Sequence, residues 1–269
     1  MPGKKTINKK IILENVSVLF DNREVLKNIS LEFAQCNITA IMGPSGVGKT
    51  TLLKVISGLL KPHSGRVLFD GIDIYNTTRR ELHNIRIKSG YMFQHGALFS
   101  GFSVFDNVAF GLRENSNLPE SMIRDIVLLK LDSVGLRGVA YCMPETLSGG
   151  MARRVALARA VALDPEFMLY DEPFTGQDPV STAVLLKLIS DTRSLLKATS
   201  IIVSHDISAV KSVADEINII NNGSIVASGT MHDIENSSDI SVQQFISGKY
   251  DISNNFHYPT KKTLSEDLS

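Results

Sequence analysis

The chain has 269 residues, 43% of them hydrophobic, which suffices for roughly one to two globular domains with a sizeable core. Its 28 lysines and arginines balance its 28 aspartates and glutamates, which argues against a nucleic-acid binder with the usual basic excess. No stretch reaches the roughly 18 apolar residues of a membrane span, and we expect neither a signal peptide nor a membrane-embedded chain, so any membrane role would require another subunit.

Strand patterns open the chain. Apolar residues alternate with polar ones over 11–20 and 25–33 and predict an antiparallel pair of strands. A buried strand is predicted at 38–42, directly before a glycine-rich segment. Short apolar runs predict further strands at residues 67–69, 89–93, 167–170, 199–203, 217–220 and 224–227. Because most of these strands alternate with helical patterns, we expect an α/β fold with a mostly parallel sheet.

In the segment from about residue 95 to 158, apolar residues recur with helical rather than strand-like periodicity. Residues 121–134 carry apolar side chains at the spacing of an amphipathic helix. We therefore expect a helical insertion within the α/β domain. A long helix is also predicted at 180–197, and beyond residue 231 the patterns fade into a tail, 231–269, that we expect to be partly irregular.

The glycine-rich segment fits the pattern G-x-x-x-x-G-K-[ST], between a predicted strand and a predicted helix. Its residues are Gly43, Pro44, Ser45, Gly46, Val47, Gly48, Lys49 and Thr50, and the helix continues through Thr51. Successive backbone N–H groups and the positive end of the helix dipole favour a bound phosphate there. Lys49 would reach the β- and γ-phosphates and Thr50 would offer its hydroxyl to Mg²⁺. The sequence therefore predicts a nucleotide-binding site.

Five further features place polar or glycine residues at the ends of predicted strands and helices. They are Gln94, Ser148-Gly149-Gly150, Asp171-Glu172, Asp178 and His205. A carboxylate at a strand end can hold Mg²⁺, an adjacent one can polarise water, and a glycine-rich helix start can bind an anion. Taken singly, each also fits an ordinary loop residue, a solvated charge or a turn.

Taken in this order, the features resemble the nucleotide-binding subunit of an ATP-binding cassette (ABC) transporter over residues 11–230. The resemblance implies a P-loop NTPase fold with a RecA-like, mostly parallel core, N-terminal antiparallel strands and an ABC α-helical subdomain at about 95–158. It implies the following assignments: residues 43–50 as Walker A loop, Gln94 as Q-loop, residues 147–151 as signature, Asp171 and Glu172 as Walker B pair, Asp178 as D-loop and His205 as switch.

The same resemblance assigns roles to these residues. Glu172, His205 and Gln94 would be catalytic, and Thr50, Gln94 and Asp171 would hold Mg²⁺. ATP would contact the Walker A loop with Thr51, and also Ser148, Gly149, Gly150, Asp178 and Phe20, an aromatic placed to stack on adenine. For Phe20 the alternative is an ordinary core position in a strand.

Two departures from the common pattern narrow the resemblance. Met151 stands where the signature usually has Gln, and Thr175-Gly176-Gln177-Asp178 replaces a segment like Ser-Ala-Leu-Asp. Both resemble the phospholipid-trafficking ATPases of MCE-type lipid transporters. That likeness implies a homodimer using ATP and Mg²⁺ at the cytoplasmic face of the bacterial inner membrane, with a permease, an MCE-domain protein and a STAS-domain protein as partners and no nucleic acid. The implied function is to energise phospholipid trafficking between inner and outer membrane, maintaining outer-membrane lipid asymmetry.

Other functions share most of these motifs. An importer of polar solutes would use the same core residues, although Met151 and Gly176-Gln177 count against it. A soluble ABC ATPase acting on nucleic acid or ribosomes usually has two cassettes or a coiled-coil insert, which this sequence does not show. Phe99, Phe102 and Phe105 lie close together after Gln94, and they indicate either a surface for a membrane subunit or a local aromatic core.

Overall fold

The computed structural model describes residues 10–21 and 23–248. Its strands are β1 (Ile11–Phe20), β2 (Arg23–Phe33), β3 (Ile38–Met42), β4 (Ser64–Phe69), β5 (Ile72–Asp73), β6 (Ser89–Met92), β7 (Phe167–Asp171), β8 (Thr199–Ser204), β9 (Glu216–Asn221) and β10 (Ser224–Gly229). An antiparallel sheet has the order β2-β1-β4-β5. A second sheet has the order β10-β9-β3-β8-β7-β6 and is parallel except for the β9–β10 hairpin. The predicted α/β fold, with a mostly parallel core and N-terminal antiparallel strands, is confirmed.

Most of the helices lie between these strands, and the last two follow β10. They are α1 (Lys49–Ile56), α2 (Arg79–Ile87), α3 (Val104–Asn115), α4 (Glu120–Ser133), α5 (Gly149–Ala160), α6 (Pro179–Leu196), α7 (Ile207–Lys211), α8 (Met231–Glu235) and α9 (Ile240–Ser247). Two short 3₁₀ helices, Arg137–Val139 and Pro144–Thr146, link α4 to α5. Within the described part of the chain, no helix has both the length and the apolar character of a membrane span.

The parallel sheet is covered on both faces, which explains why its strands read as continuous apolar runs. Successive side chains of a strand point to opposite faces. Met168 and Tyr170 of β7 therefore join the core shared with the helical segment, whereas Phe167 and Leu169 join the core shared with α1 and the antiparallel sheet. The sheet thus lies between a helical layer and the layer that contains α1.

The segment from 95 to 158 is helical, as its periodicity predicts. Helix α4 begins and ends within one residue of the predicted 121–134. Ile123, Val127 and Leu131 of α4 are buried at the expected helical spacing. Helices α3 and α4 pack with α5 over one face of the parallel sheet.

The sequence pattern does not predict three of the helices. Helix α2 buries none of its residues and begins with a capping box between Thr78 and Glu81. Short helices α8 and α9 occupy the first part of the predicted tail and begin at the capping residues Thr230 and Asp239. The expectation of irregular structure for residues 249–269 lies outside the described residues.

The aromatic cluster after Gln94 divides between the two predicted alternatives. Phe105 is 8% exposed and belongs to the core, whereas Phe99, Phe102 and Phe110 are 44%, 39% and 39% exposed. The rings of these three contact one another, with centroids 5.1 to 6.1 Å apart. We call Phe99, Phe102 and Phe110 the aromatic patch. It is a contiguous apolar surface of the helical segment.

Candidate functional site

The glycine-rich loop joins β3 to α1, and two of its glycines have conformations that other residues rarely adopt. Gly43 has φ +149°, and a Cβ atom there would lie 2.2 Å from the carbonyl oxygen of Ile220 in β9. Gly48, with φ +104°, immediately precedes α1. Gly43 therefore lets the loop pass close to the neighbouring strand, and Gly48 turns the chain so that the N-terminus of α1 faces the loop.

Lys49, the first residue of α1, is buried beneath this loop. Its Nζ donates hydrogen bonds to the carbonyl oxygens of Gly43 (2.8 Å) and Pro44 (2.9 Å) and lies 3.6 Å from Oε1 of Glu172. Burial lowers the pKa of Lys49, an effect that the nearby Glu172 carboxylate opposes. The ammonium group is thus held inside the loop by contacts that phosphate oxygens can replace.

Asp171, at the end of β7, points towards the start of α1. Its Oδ1 accepts a 2.9 Å hydrogen bond from Thr50 Oγ1, and its Oδ2 accepts one of 3.4 Å from the Tyr91 hydroxyl. Burial raises the pKa of Asp171, because the carboxylate is removed from water without a full counter-charge. A hydroxyl and a carboxylate in contact are the hard oxygen donors that Mg²⁺ prefers, so these residues fit that ion.

Glu172 follows directly and has a strained backbone, with φ +46°. Its carboxylate Oε2 lies 2.9 Å from His205 Nδ1 and accepts a 3.0 Å hydrogen bond from Thr175 Oγ1. The strands β7 and β8 are adjacent, and Glu172 N–H donates to Val203 O at 2.9 Å. This pairing brings Glu172 and His205, 33 positions apart in the chain, into contact at one edge of the sheet.

Two neighbouring clefts open over the loop. The larger, about 870 Å³, is lined by Phe20 and residues including Lys27, Ser45, Gly46, Val47 and Thr51. The smaller, about 280 Å³, is lined by Gln94 and Glu172 together with residues of the loop and of α1. Phe20 is 45% exposed at the rim rather than buried in the sheet. An exposed ring and an anion-binding loop in adjoining clefts suit a purine nucleotide.

The remaining predicted residues gather elsewhere. Ser148 caps α5 by accepting a hydrogen bond from Met151 N–H, and Asp178 caps α6 by accepting from Val180 and Ser181 N–H. The two helix starts touch, since a Cβ atom on Gly150 would lie 2.8 Å from Ser181 Oγ. Ser148, Gly149, Gly150 and Asp178 line neither cleft. The structure therefore divides the predicted residues into two groups, one around the loop and one at the starts of α5 and α6.

The sequence interpretation missed three residues of this region. Tyr91 sits in β6 as an ordinary strand residue, and only the β6–β7 pairing brings it to Asp171. Thr175 lies three positions after Glu172, a spacing that could have suggested the contact. Arg153, in α5, is buried and donates to the backbone around Glu172. A buried arginine cannot be told from an exposed one by its helical position alone.

Comparisons with known proteins agree with this geometry. The ABC transporter family model matches residues 26–175. The intermembrane phospholipid transport system ATP-binding protein MlaF of Haemophilus influenzae is 50% identical, over 97% of this chain and 99% of its own length. The probable ribonucleotide transport ATP-binding protein mkl of Mycobacterium leprae is 38% identical, over 92% of this chain and 71% of its own.

A solved structure extends the likeness to three dimensions. The ATP-binding cassette MJ0796, as a dimer in a post-hydrolysis state bound to ADP and Pi, superposes with a TM-score of 0.76 and is 29% identical, covering 82% of this chain and 98% of its own. The fold, the geometry of the loop and the sequence identity over nearly the whole chain support the same family assignment. The chain belongs to the ABC transporter family, and it is one of that family's ATP-binding, ATP-hydrolysing subunits.

Proposed function

We propose that this ATPase energises the movement of phospholipids between the inner and outer bacterial membranes, and so maintains the lipid asymmetry of the outer membrane. The observation that carries the proposal is the 50% identity to MlaF, an ATP-binding protein of an intermembrane phospholipid transport system, over 97% of this chain. Met151 and Gly176-Gln177 also favour lipid transport, because they depart from the common ABC motifs in the way that phospholipid-trafficking ATPases do.

In the proposed chemistry, residues 11–230 form the nucleotide-binding domain and Lys49 binds the β- and γ-phosphates. Thr50, Asp171 and Gln94 would hold Mg²⁺, which would neutralise phosphate charge. Glu172 would act as general base on the attacking water, and its contact with His205 supports this role because the imidazole orients the carboxylate. The larger cleft would receive the adenosine, with Phe20 stacked on adenine.

The group at the starts of α5 and α6 would act on the nucleotide of a second copy. Ser148, Gly149 and Gly150 present a helix N-terminus, which suits a γ-phosphate, yet they line neither cleft of their own chain. A head-to-tail homodimer brings this end against the partner's phosphate loop, with Asp178 at the contact. The dimeric state of MJ0796 bound to ADP and Pi supports this arrangement. Closure would exclude bulk water from the phosphates.

The membrane partners are inferred from function. We propose a permease that docks on the helical segment at the aromatic patch, whose three contiguous rings are exposed. An MCE-domain protein and a STAS-domain protein would complete the complex at the cytoplasmic face of the inner membrane.

A second cargo class is supported by one relative. Mkl, which is 38% identical, is named as a probable ribonucleotide transport protein, so a polar solute is the alternative. The two are distinguished by purifying the full-length chain with its associated membrane subunits and measuring ATP hydrolysis with phospholipid vesicles, ribonucleotides or RNA. Stimulation by phospholipid alone supports the proposal, whereas stimulation by ribonucleotides or by RNA contradicts it.

The role of Glu172 is tested in the same preparation. We expect Glu172→Gln to retain ATP binding and to abolish steady-state phosphate release, leaving only a slow residual single-turnover reaction, because the amide cannot accept the proton of the attacking water. A normal rate of phosphate release from this variant would remove Glu172 as the base, without bearing on the cargo.

A further inference from the structure

Arg153 is a charged side chain in an unusual setting. It lies in the second turn of α5 and is only 5% exposed. Its Nη1 donates to the carbonyl oxygens of Glu172 (3.2 Å) and Pro173 (3.0 Å), and its Nη2 donates to that of Thr175. Across residues 10–21 and 23–248 it forms no ion pair. Burial of a guanidinium group without a carboxylate is costly, so these carbonyl contacts are what offset its desolvation.

The backbone to which Arg153 donates hydrogen bonds is itself strained. Glu172 has φ +46°, a left-handed conformation that is unfavourable for a non-glycine residue and persists only when the surroundings enforce it. On one side, Glu172 N–H is fixed by Val203 O at 2.9 Å. On the other side, the carbonyl oxygen of Glu172 accepts a hydrogen bond from Arg153. The two contacts determine the direction in which the Glu172 side chain leaves the backbone, towards His205 and Lys49.

We propose that Arg153 is a positioning residue for ATP hydrolysis, which aims the Glu172 carboxylate by holding the backbone of residues 172–175. The inference rests on the proposed role of Glu172 as general base. Arg153 lies one helical turn after Gly149 on a rigid helix. It therefore links the end of α5 that would face the partner's nucleotide to the catalytic carboxylate of its own chain.

The next residue provides a matched control. Arg154 also lies in α5 and also donates to a backbone carbonyl, that of Val134, at 2.9 Å. Its partner belongs to the helical segment and not to the strand end that carries Glu172. Loss of the Arg154 donor thus removes an arginine-to-backbone hydrogen bond from the same helix, one rather than three, without releasing residues 172–175.

The test compares Arg153→Met, Arg153→Lys and Arg154→Met in the full-length protein purified with its associated subunits. Methionine retains an apolar stem and removes the donors, and we expect kcat to fall by about tenfold to hundredfold, the effect of a roughly 1 Å misplacement of a catalytic group. The affinity for ATP, measured by equilibrium binding, should not change. Lysine carries donors without the planar fork and should restore kcat only in part. Arg154→Met should leave kcat close to the wild-type value.

A double-substitution cycle with Glu172→Gln separates positioning from general stability. If Arg153 acts through Glu172, Arg153→Met should not slow single-turnover hydrolysis further in the Glu172→Gln protein. An equal factor in both backgrounds would overturn the proposal, as would an unchanged kcat for Arg153→Met. Unfolding of both the methionine and lysine variants would show a purely structural residue and would also overturn it. A normal rate for Glu172→Gln alone would instead refute the general-base assignment.

Discussion

The fully buried side chain of Asn107 holds the loop that carries Phe99 and Phe102 of the aromatic patch. Its Oδ1 accepts a 2.8 Å hydrogen bond from Phe99 N–H, and its Nδ2 lies within 3.0 to 3.1 Å of the carbonyl oxygens of Phe99, Phe102 and Ser103. An amide has two N–H hydrogens and one oxygen, so about three hydrogen bonds are lost in Asn107→Ala. At about 1 kcal/mol each, we expect destabilisation by about 3 kcal/mol.

Two assays check this estimate. Urea denaturation gives the change in free energy of unfolding, and hydrogen exchange should show lost protection at the Phe99 amide, whose acceptor is removed. Asn115→Ala is the matched control, because Asn115 lies in the same helix and, among residues 10–21 and 23–248, its side chain donates to Gly111 O alone. We expect it to cost about 1 kcal/mol. A loss for Asn107→Ala no larger than for this control, with Phe99 still protected, would refute the reasoning.

The aspartate substitution at the same position tests the geometry. Asn107→Asp keeps the acceptor for Phe99 N–H but turns a carboxylate towards three carbonyl oxygens. Burial and these oxygens should raise the folded-state pKa of the introduced carboxyl group above its unfolded value. Stability should therefore be greater below the unfolded pKa and should be lost as pH rises through the folded pKa. At neutral pH the loss should exceed that of Asn107→Ala.

Three further predictions concern the site. Lys49→Ala should abolish ATP turnover through lost phosphate binding, and normal hydrolysis would contradict its assignment. Burial raises the pKa of Asp171, so its charged form is unfavourable in the folded protein, and Asp171→Asn should raise the melting temperature of the nucleotide-free protein at neutral pH. The same substitution should abolish Mg²⁺-dependent turnover. In the unsubstituted protein, the Mg²⁺ dependence of turnover should weaken as pH falls through the raised pKa of Asp171. Gly150→Ala should displace Ser181 Oγ from Asp178 and cost about 1 kcal/mol, whereas Gly149→Ala, whose Cβ meets nothing within 4 Å, should cost less than this in thermal denaturation.

The order of the elements along the chain could be predicted because it depends on local patterns. Residues 38–42 form a strand, 43–48 form the loop before α1, and α4 matches the predicted 121–134 to within one residue, since periodicity and turn residues act over short distances. Helix α2 was missed because its apolar stripe is short: Leu82 and Ile85 pack against the core, but both are only half-buried.

The arrangement of the site, in contrast, was decided by the tertiary structure. His205 meets Glu172 because β7 and β8 are neighbours in the parallel sheet, and Tyr91 meets Asp171 because β6 lies on the other side of β7. Strand order depends on crossover connections and on the shared core, which no local pattern specifies. The sequence alone thus determined which residues can bind a nucleotide, whereas packing of α5 against the end of β7 decided that a buried Arg153 holds the backbone of Glu172.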